Sequence, residues 1–530
     1  MALGQRLTAS LGLLVLGGCI ADITGAPCVV GGDTCPSGQY CGGDGRCVLG
    51  TGVGGSGGTD AGTSIEVLQT VTRHTESGAT PTATVFTADA MELYVRSGSS
   101  FTRVTSGAAG AAGHFAFTGI PAGQRYLRRG KEWLVDPPST VDLSFRLYGR
   151  TTVKDADAGV ALSVTGAGLD VWTAGSELQV VSPNAGLVGL HFEKGAVTTL
   201  TAGVAPTSLV FDYVKAFRWT AAPPAPLLDT TKGDVVYLTQ LGGTSMATSA
   251  GPVSVRALGK SALLEPLILG SSTSPKATLF IAPPIVTATV AWRRNDYWQL
   301  GGSVTPNYRT DEVYDSLDIC AVPYFGNEGI YDVAPDLFFA GDEVTKGGAP
   351  NLNFTATFHN PYPASWTPVV SLVYCHFGPA QTAGGTASLE PYACAGHDEA
   401  LATAVGQPMT IGVTPPTSMQ IDGASAYGGM TLTTLSPTVS WAAPAVGTPS
   451  SYQVTVRHVI PSGTSLTTEL TATLVTHGTS VMIPPGVLKS GQYYYLRVGA
   501  GLGLDQLATP FKTALSWQYA EGVSGVLKVQ

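Results

Sequence analysis

Charge is scarce in this chain: Asp, Glu, Lys and Arg together make up 12% of 530 residues, about half the ~25% usual in soluble domains. Exposed helix faces normally need Lys and Glu, so a largely helical protein is disfavoured. A basic excess is missing too. There are 28 Lys and Arg against 37 Asp and Glu, a formal charge of −9, whereas a phosphate-backbone binder needs concentrated positive surface. The densest basic group, Arg125, Arg128, Arg129 and Lys131, stands beside Glu132 and Asp136 and reads as the solvated side of a hairpin. Nucleic acid is therefore not an expected partner. No apolar run reaches the roughly 20 residues that a membrane-spanning helix requires. Also missing are an H-E-x-x-H pair, a P-loop and a G-x-G-x-x-G after a strand. No fixed-period repeat is present, which argues against a propeller.

What remains is rich in turn formers and hydroxyls. The chain has 67 Gly and 35 Pro, with 44% hydrophobic residues, so many short strands with many turns can still bury sizeable cores. Alternating segments recur: Ala83–Phe86 with Glu92–Val95 as one hairpin, then Leu178–Val181, Ser208–Phe211, Asp234–Leu238 and Val286–Trp292. The expected fold class is all-β and multidomain, with tandem β-sandwiches.

Residues 1–18 begin with Arg6 near the amino terminus, continue with the apolar stretch Leu7 to Leu16, and end Gly17-Gly18 before Cys19. An apolar stretch of this length suits a signal peptide and is too short to span a membrane. The tetrapeptide Leu16-Gly17-Gly18-Cys19 resembles the lipobox of bacterial lipoproteins. That resemblance implies cleavage before Cys19 and fatty acylation of its sulfur and new amino terminus, which together anchor firmly. Residue 20 is Ile and not Asp, which by analogy with Gram-negative sorting implies the outer membrane.

Four cysteines crowd into residues 19–48 as Cys28-x6-Cys35-x5-Cys41-x5-Cys47. So few residues cannot bury a core, and in an oxidising compartment two disulfides would hold them together. The spacing lacks the paired knuckles of a zinc site, and no metal is expected. Three pairings are possible. Likeness to small EGF-like knots implies the crossed one, Cys28 with Cys41 and Cys35 with Cys47. Further on, Cys375 and Cys394 share a polar, Gly-rich stretch and form the expected third pair, leaving Cys320 as an odd buried thiol or a partner for something unseen. Residues 49–64 are a Gly/Ser linker that would hold the folded body away from a membrane.

Within residues 65–150, Gly113-x-Phe115-x-Phe117-x2-Ile120-Pro121-x-Gly123-x2-Tyr126 is similar to the late motif of carboxypeptidase regulatory-like (transthyretin-like) sandwiches, a group with a carbohydrate-binding-like fold. Phe115, Phe117 and Tyr126 are expected to share one face. Residues 151–414 read as one or two further β-rich domains. Residues 415–530 resemble a fibronectin type III domain: Trp441 on the second strand, Tyr452, Val454 and Val456 alternating, and Leu488-x2-Gly491-x2-Tyr494 as the tyrosine corner. The whole layout resembles uncharacterised lipoproteins of myxobacteria.

Chemistry is thinly supported. Gly243-Thr244-Ser245-Met246-Ala247 is identical to the nucleophile motif of subtilisin-like proteases, and His477-Gly478-Thr479 echoes their histidine motif. In that family, however, the histidine precedes the serine and the serine opens a helix. Asp311, Glu312, Asp315 and Asp318 form the densest carboxylate group but lack calcium-loop spacing. Trp292, Tyr297 and Trp298 form the most aromatic, polar-mixed segment and are the candidate ligand-binding residues. No cofactor is expected. The sequence reads as a non-enzymatic, lipid-anchored outer-membrane protein with a binding or structural role, its partners the membrane and an envelope polysaccharide or another surface protein. The alternative is a hydrolase with its site in the central region.

Overall fold

The computed structural model describes residues 39–41, 47–49, 64–157, 160–192, 200–213, 226–248, 251–270, 278–311, 313–324, 334–345, 350–384, 387–462, 465–512 and 515–530. The signal peptide, Cys19, Cys28, Cys35, most of the linker and Glu312 lie outside these residues. Strands Gln39–Cys41 and Cys47–Leu49 pair antiparallel, with Cys41 opposite Cys47. The described helices are short; none is long and apolar enough to cross a membrane.

The fold is all-β and multidomain, built of four sandwiches. In the first, Ser64–Leu68 pairs with His114–Thr118 and Thr140–Asp142. This sheet faces a second one ordered Ser100–Val104, Glu92–Ser97, Gln124–Arg129 and Glu132–Val135. Ile65, Val67, Leu93, Val95, Phe115, Phe117, Leu127 and Leu134 fill the space between. The Pro-Ala-Gly turn needs Gly123: its φ is +142°, and a Cβ there would meet the Arg96 carbonyl at 2.6 Å, so only glycine fits.

Two expectations for this sandwich fail. Ala83–Phe86 does not pair with Glu92–Val95. Glu92–Ser97 pairs with its own sequence neighbour Ser100–Val104, and Val85 is exposed. Tyr126 does not share a face with Phe115 and Phe117. Successive strand residues point to opposite faces; Leu127 takes the inner face, while Tyr126 is buried outward against Phe101, their ring centroids 5.0 Å apart.

The second sandwich packs Ala161–Ala167 and Ser208–Asp212 over Glu177–Ser182 and the long hairpin Tyr237–Thr248/Gly251–Leu263, around Trp172, Tyr213 and Phe280. The third packs the ribbon Ile285–Trp292/Leu352–His359 over Asp336–Thr345, Val313–Val322, Thr367–Phe377 and Tyr392–Ala400. In the fourth, Thr417–Ile421, Thr438–Ala442 and Ser480–Met482 face Ser465–Thr476, Ser451–Ser462, Tyr493–Leu502 and Trp517–Val523. That three-on-four order is the type III arrangement. Trp441 is buried on its second strand, and the Lys489 N–H donates to Tyr494 Oη at 3.1 Å. Gly491 makes this corner possible with a φ of +78°.

The four sandwiches are not separate beads. Glu132–Val135 of the first adds in parallel to Ser465–Thr476 of the fourth. Trp517–Val523 of the fourth pairs with Tyr392–Ala400 of the third, and Asp336–Thr345 of the third pairs with Gly251–Leu263 of the second. One hydrogen-bonded ladder thus passes through all four, in the spatial order first, fourth, third, second. The circuit closes where the Glu76 N–H of the first donates to Asn184 Oδ1 of the second at 2.6 Å. Sharing edges in this way also caps strands that would otherwise template aggregation.

Candidate functional site

Trp292, Tyr297 and Trp298 do not form an open aromatic patch. Strand Ile285–Trp292 ends at the first of them, and a five-residue helix, Arg294–Trp298, carries the other two. Trp292 is 2% exposed and Tyr297 4%. Trp292 stacks under the Arg294 guanidinium, 4.6 Å from ring centroid to carbon, and meets Phe354 edge-on. Sequence alternation could not show this, because the helix re-aims Tyr297 into the core. Trp298 alone is half-buried, edge-on to Tyr308 with ring centroids 5.7 Å apart. Behind them His376 donates from Nε2 to the Tyr297 carbonyl at 3.1 Å. Burial drives its pKa down to about 4, so the ring is neutral at pH 7 and serves the core.

The acidic group does not converge either. Arg294 clamps Asp315 through two nitrogens, at 2.5 and 3.1 Å, in a fully buried pair. Asp311 is exposed and bound to Arg309, while Asp318 accepts from Ser316 Oγ. Among the described residues no group of three or more His, Cys, Asp or Glu could hold a metal ion.

Ser245 sits in the strand Tyr237–Thr248, opposite Ser254 and exposed. It does not open a helix. His477 pairs with Asp505 at 2.8 Å in the fourth sandwich. A different trio meets at the seam of the third and fourth sandwiches: Ser516 Oγ donates to Glu399, and His397 Nε2 lies 3.9 Å from the same carboxylate oxygen. The order is wrong for a nucleophile relay, in which the serine must bond the imidazole. Beside it, burial pushes the Asp398 carboxyl up to about 6.

Cys375 and Cys394 lie directly opposite each other on adjacent strands and are joined by a disulfide. Cys320 is a free thiol, half-buried where a buried one was expected; it donates to Asp336 Oδ1 at 3.4 Å, and desolvation raises its pKa well above the ordinary thiol value.

The densest aromatic assembly is one that sequence spacing conceals. His74 and Tyr148 of the first sandwich, Tyr237 of the second, and Tyr324, Tyr362 and Trp366 of the third meet at one junction. His74 stacks on Tyr324 with ring centroids 6.0 Å apart, Tyr148 is 5.8 Å from Tyr324, and Tyr362 stacks on Trp366 at 4.7 Å. Tyr148 Oη crosses the boundary to donate to the Pro323 carbonyl. Tyr324, held at a positive φ of 48°, is the half-exposed member. Such edge-to-face and stacked rings fix a joint firmly. No sequence signal links residues so far apart in the chain. A small cleft between first and fourth sandwiches, lined by Leu127, Arg129, Glu132, Leu134, Leu143, Pro510 and Phe511, has a volume of about 10 Å³, room for roughly one water.

No known protein family matches the chain, and no curated protein matches it. Among solved structures it is similar to the chicken CNTN1 FN1-FN3 domains, at 11% identity, covering 71% of this chain and 98% of that one with a TM-score of 0.13. A superposition that loose carries no argument about arrangement. The type III-like character of the fourth sandwich stands on its own strand order and tyrosine corner.

Proposed function

We propose that this chain is a lipid-anchored cell-envelope protein whose body binds or structurally supports a surface partner. The observation that carries the reading is the shared ladder: four sandwiches joined edge to edge, three of them also around a common aromatic joint, make a stiff platform, suited to presenting a surface. Anchoring rests on Leu16-Gly17-Gly18-Cys19, and the Ile after Cys19 favours the outer membrane. An envelope polysaccharide is the partner class we favour, with the half-buried Trp298–Tyr308 edge as its contact, since a wet aromatic edge suits sugar faces. The hydrolase alternative would need a base on a nucleophile. Ser245 lies in a hairpin strand and Ser516 bonds a carboxylate, so neither favours it.

The test is Cys19→Ser. It should move the protein from the membrane fraction to the soluble fraction, and persistence with membranes would reject the anchor. The released full chain can then be applied to a glycan array. Binding weakened by Trp298→Ala supports the polymer reading; silence across the array removes it.

A further inference from the structure

The four-stranded sheet of the fourth sandwich has an inner face of Tyr452, Val454, Val456, Leu474, Leu496 and Val498. Its outer face carries Arg457 and Arg497, which in an isolated type III domain would stand in water. Here the third sandwich covers that face, and the two arginines are only 5% and 3% exposed. The register places Arg457 opposite Tyr495, and Thr455 opposite Arg497, so the arginines are diagonal neighbours on adjacent strands, within reach of a common ligand.

Their bonding is incomplete. Arg497 stacks over the Tyr392 ring at 4.1 Å. Its Nη1 lies 3.7 Å from Glu521 Oε2, while Nε and Nη2, both buried, have no hydrogen-bond partner among the described residues. Arg457 donates from Nη2 to Thr468 Oγ1 at 3.3 Å, and its buried Nε is likewise unmatched. Glu521 is shared, since it also accepts from the Cys394 N–H at 3.3 Å. Two guanidinium groups against one carboxylate leave one positive charge sealed between sheets. A buried charge without a counter-charge is strongly unfavourable, and a bound anion offsets that cost.

We propose that Arg457 and Arg497 hold a monovalent inorganic anion of the chloride class at the seam of the third and fourth sandwiches. The charge sum calls for one negative charge. The covering rings of Tyr392 and Tyr495 favour a small, weakly hydrated ion over an organic acid. Because it binds both sandwiches, the ion acts as part of their joint and stabilises the folded state by mass action.

The experiment is thermal unfolding of the full chain at constant ionic strength, exchanging gluconate for chloride or bromide. A saturable rise of a few degrees in the halides supports the site; identical melting in gluconate and halide overturns it. Arg457→Met, which removes the charge excess, should abolish the halide response, and an undiminished response in that variant also overturns the proposal. Should the variant fail to fold, bromide-grown crystals of the native chain decide: an anomalous peak beside the two guanidinium groups supports the site, and its absence rejects it.

Discussion

Glu132 of the first sandwich lies opposite Thr473 of the fourth in the parallel pairing that joins them, and the Thr473 hydroxyl donates to its carboxylate. Burial against the neighbouring sandwich nevertheless pushes this carboxyl up to about 7 from an ordinary 4.5. The folded protein therefore holds a proton that the unfolded chain releases. The stabilisation is complete below about pH 4.5 and is lost as pH rises through 7, at most roughly 3 kcal/mol. Asp398, raised from 3.8 to about 6 at the other seam, acts in the same direction. Glu132→Gln should flatten the fall of Tm between pH 5 and 7 and raise Tm at pH 8. Thermal melts at four pH values decide it, and an unchanged slope would show that the carboxyl titrates normally.

The tyrosine corner is a single hydrogen bond, from the Lys489 N–H to Tyr494 Oη. Tyr494→Phe keeps the buried ring but leaves that backbone donor without its acceptor. The expected cost is about 1–3 kcal/mol, read as a lower denaturant midpoint with an unchanged m-value. A loss under a few tenths would mean that water replaces the phenol.

Three cysteines give a simple chemical test. Native protein should show Cys375 and Cys394 linked in one peptide pair by mass spectrometry. Cys320, whose pKa burial raises, should resist alkylation until denaturant is added, because the thiolate is the reactive form. Replacing Cys375 and Cys394 together by Ala should cost about 3 kcal/mol for a closed loop of this size. Rapid native labelling of Cys320 would contradict its placement.

Trp292 was a ligand-binding candidate on sequence and is a core residue in the structure. Trp292→Ala should destabilise by about 3–5 kcal/mol and also release Arg294 from its stack. Trp298→Ala, at a half-buried position, should cost much less. Equal and small losses in denaturant titrations would mean that both rings face water after all.

The sequence made the type III sandwich legible because its alternation is local. Tyr452, Val454 and Val456 declare their face from spacing alone, and Leu488-x2-Gly491-x2-Tyr494 specifies a corner within seven residues. The same logic misplaced Tyr126, since in Tyr126-Leu127 both residues are apolar and parity alone cannot say which faces inward. Arg457 and Arg497, on the opposite face of the sheet from Val454 and Val456, are buried all the same. Alternation tells two faces apart, yet it holds no information about which face a distant sandwich will cover. The junction of His74, Tyr148, Tyr237, Tyr324, Tyr362 and Trp366 was hidden for the same reason: it is assembled by edge-sharing between segments that no short window contains.

The parallel join between Glu132–Val135 and Ser465–Thr476 has a bearing on biosynthesis. Lys131 reaches the Leu470 carbonyl 339 residues further along the chain, and Val475 and Leu507 complete the apolar interior of the first sandwich. The first sandwich therefore waits, one border open, until the fourth has been synthesised. Loop closure over such a separation is slow. Loss of the fourth sandwich would consequently also open an edge and part of the interior of the first, and a chaperone that shields open strand borders would act on the first sandwich until the fourth is made.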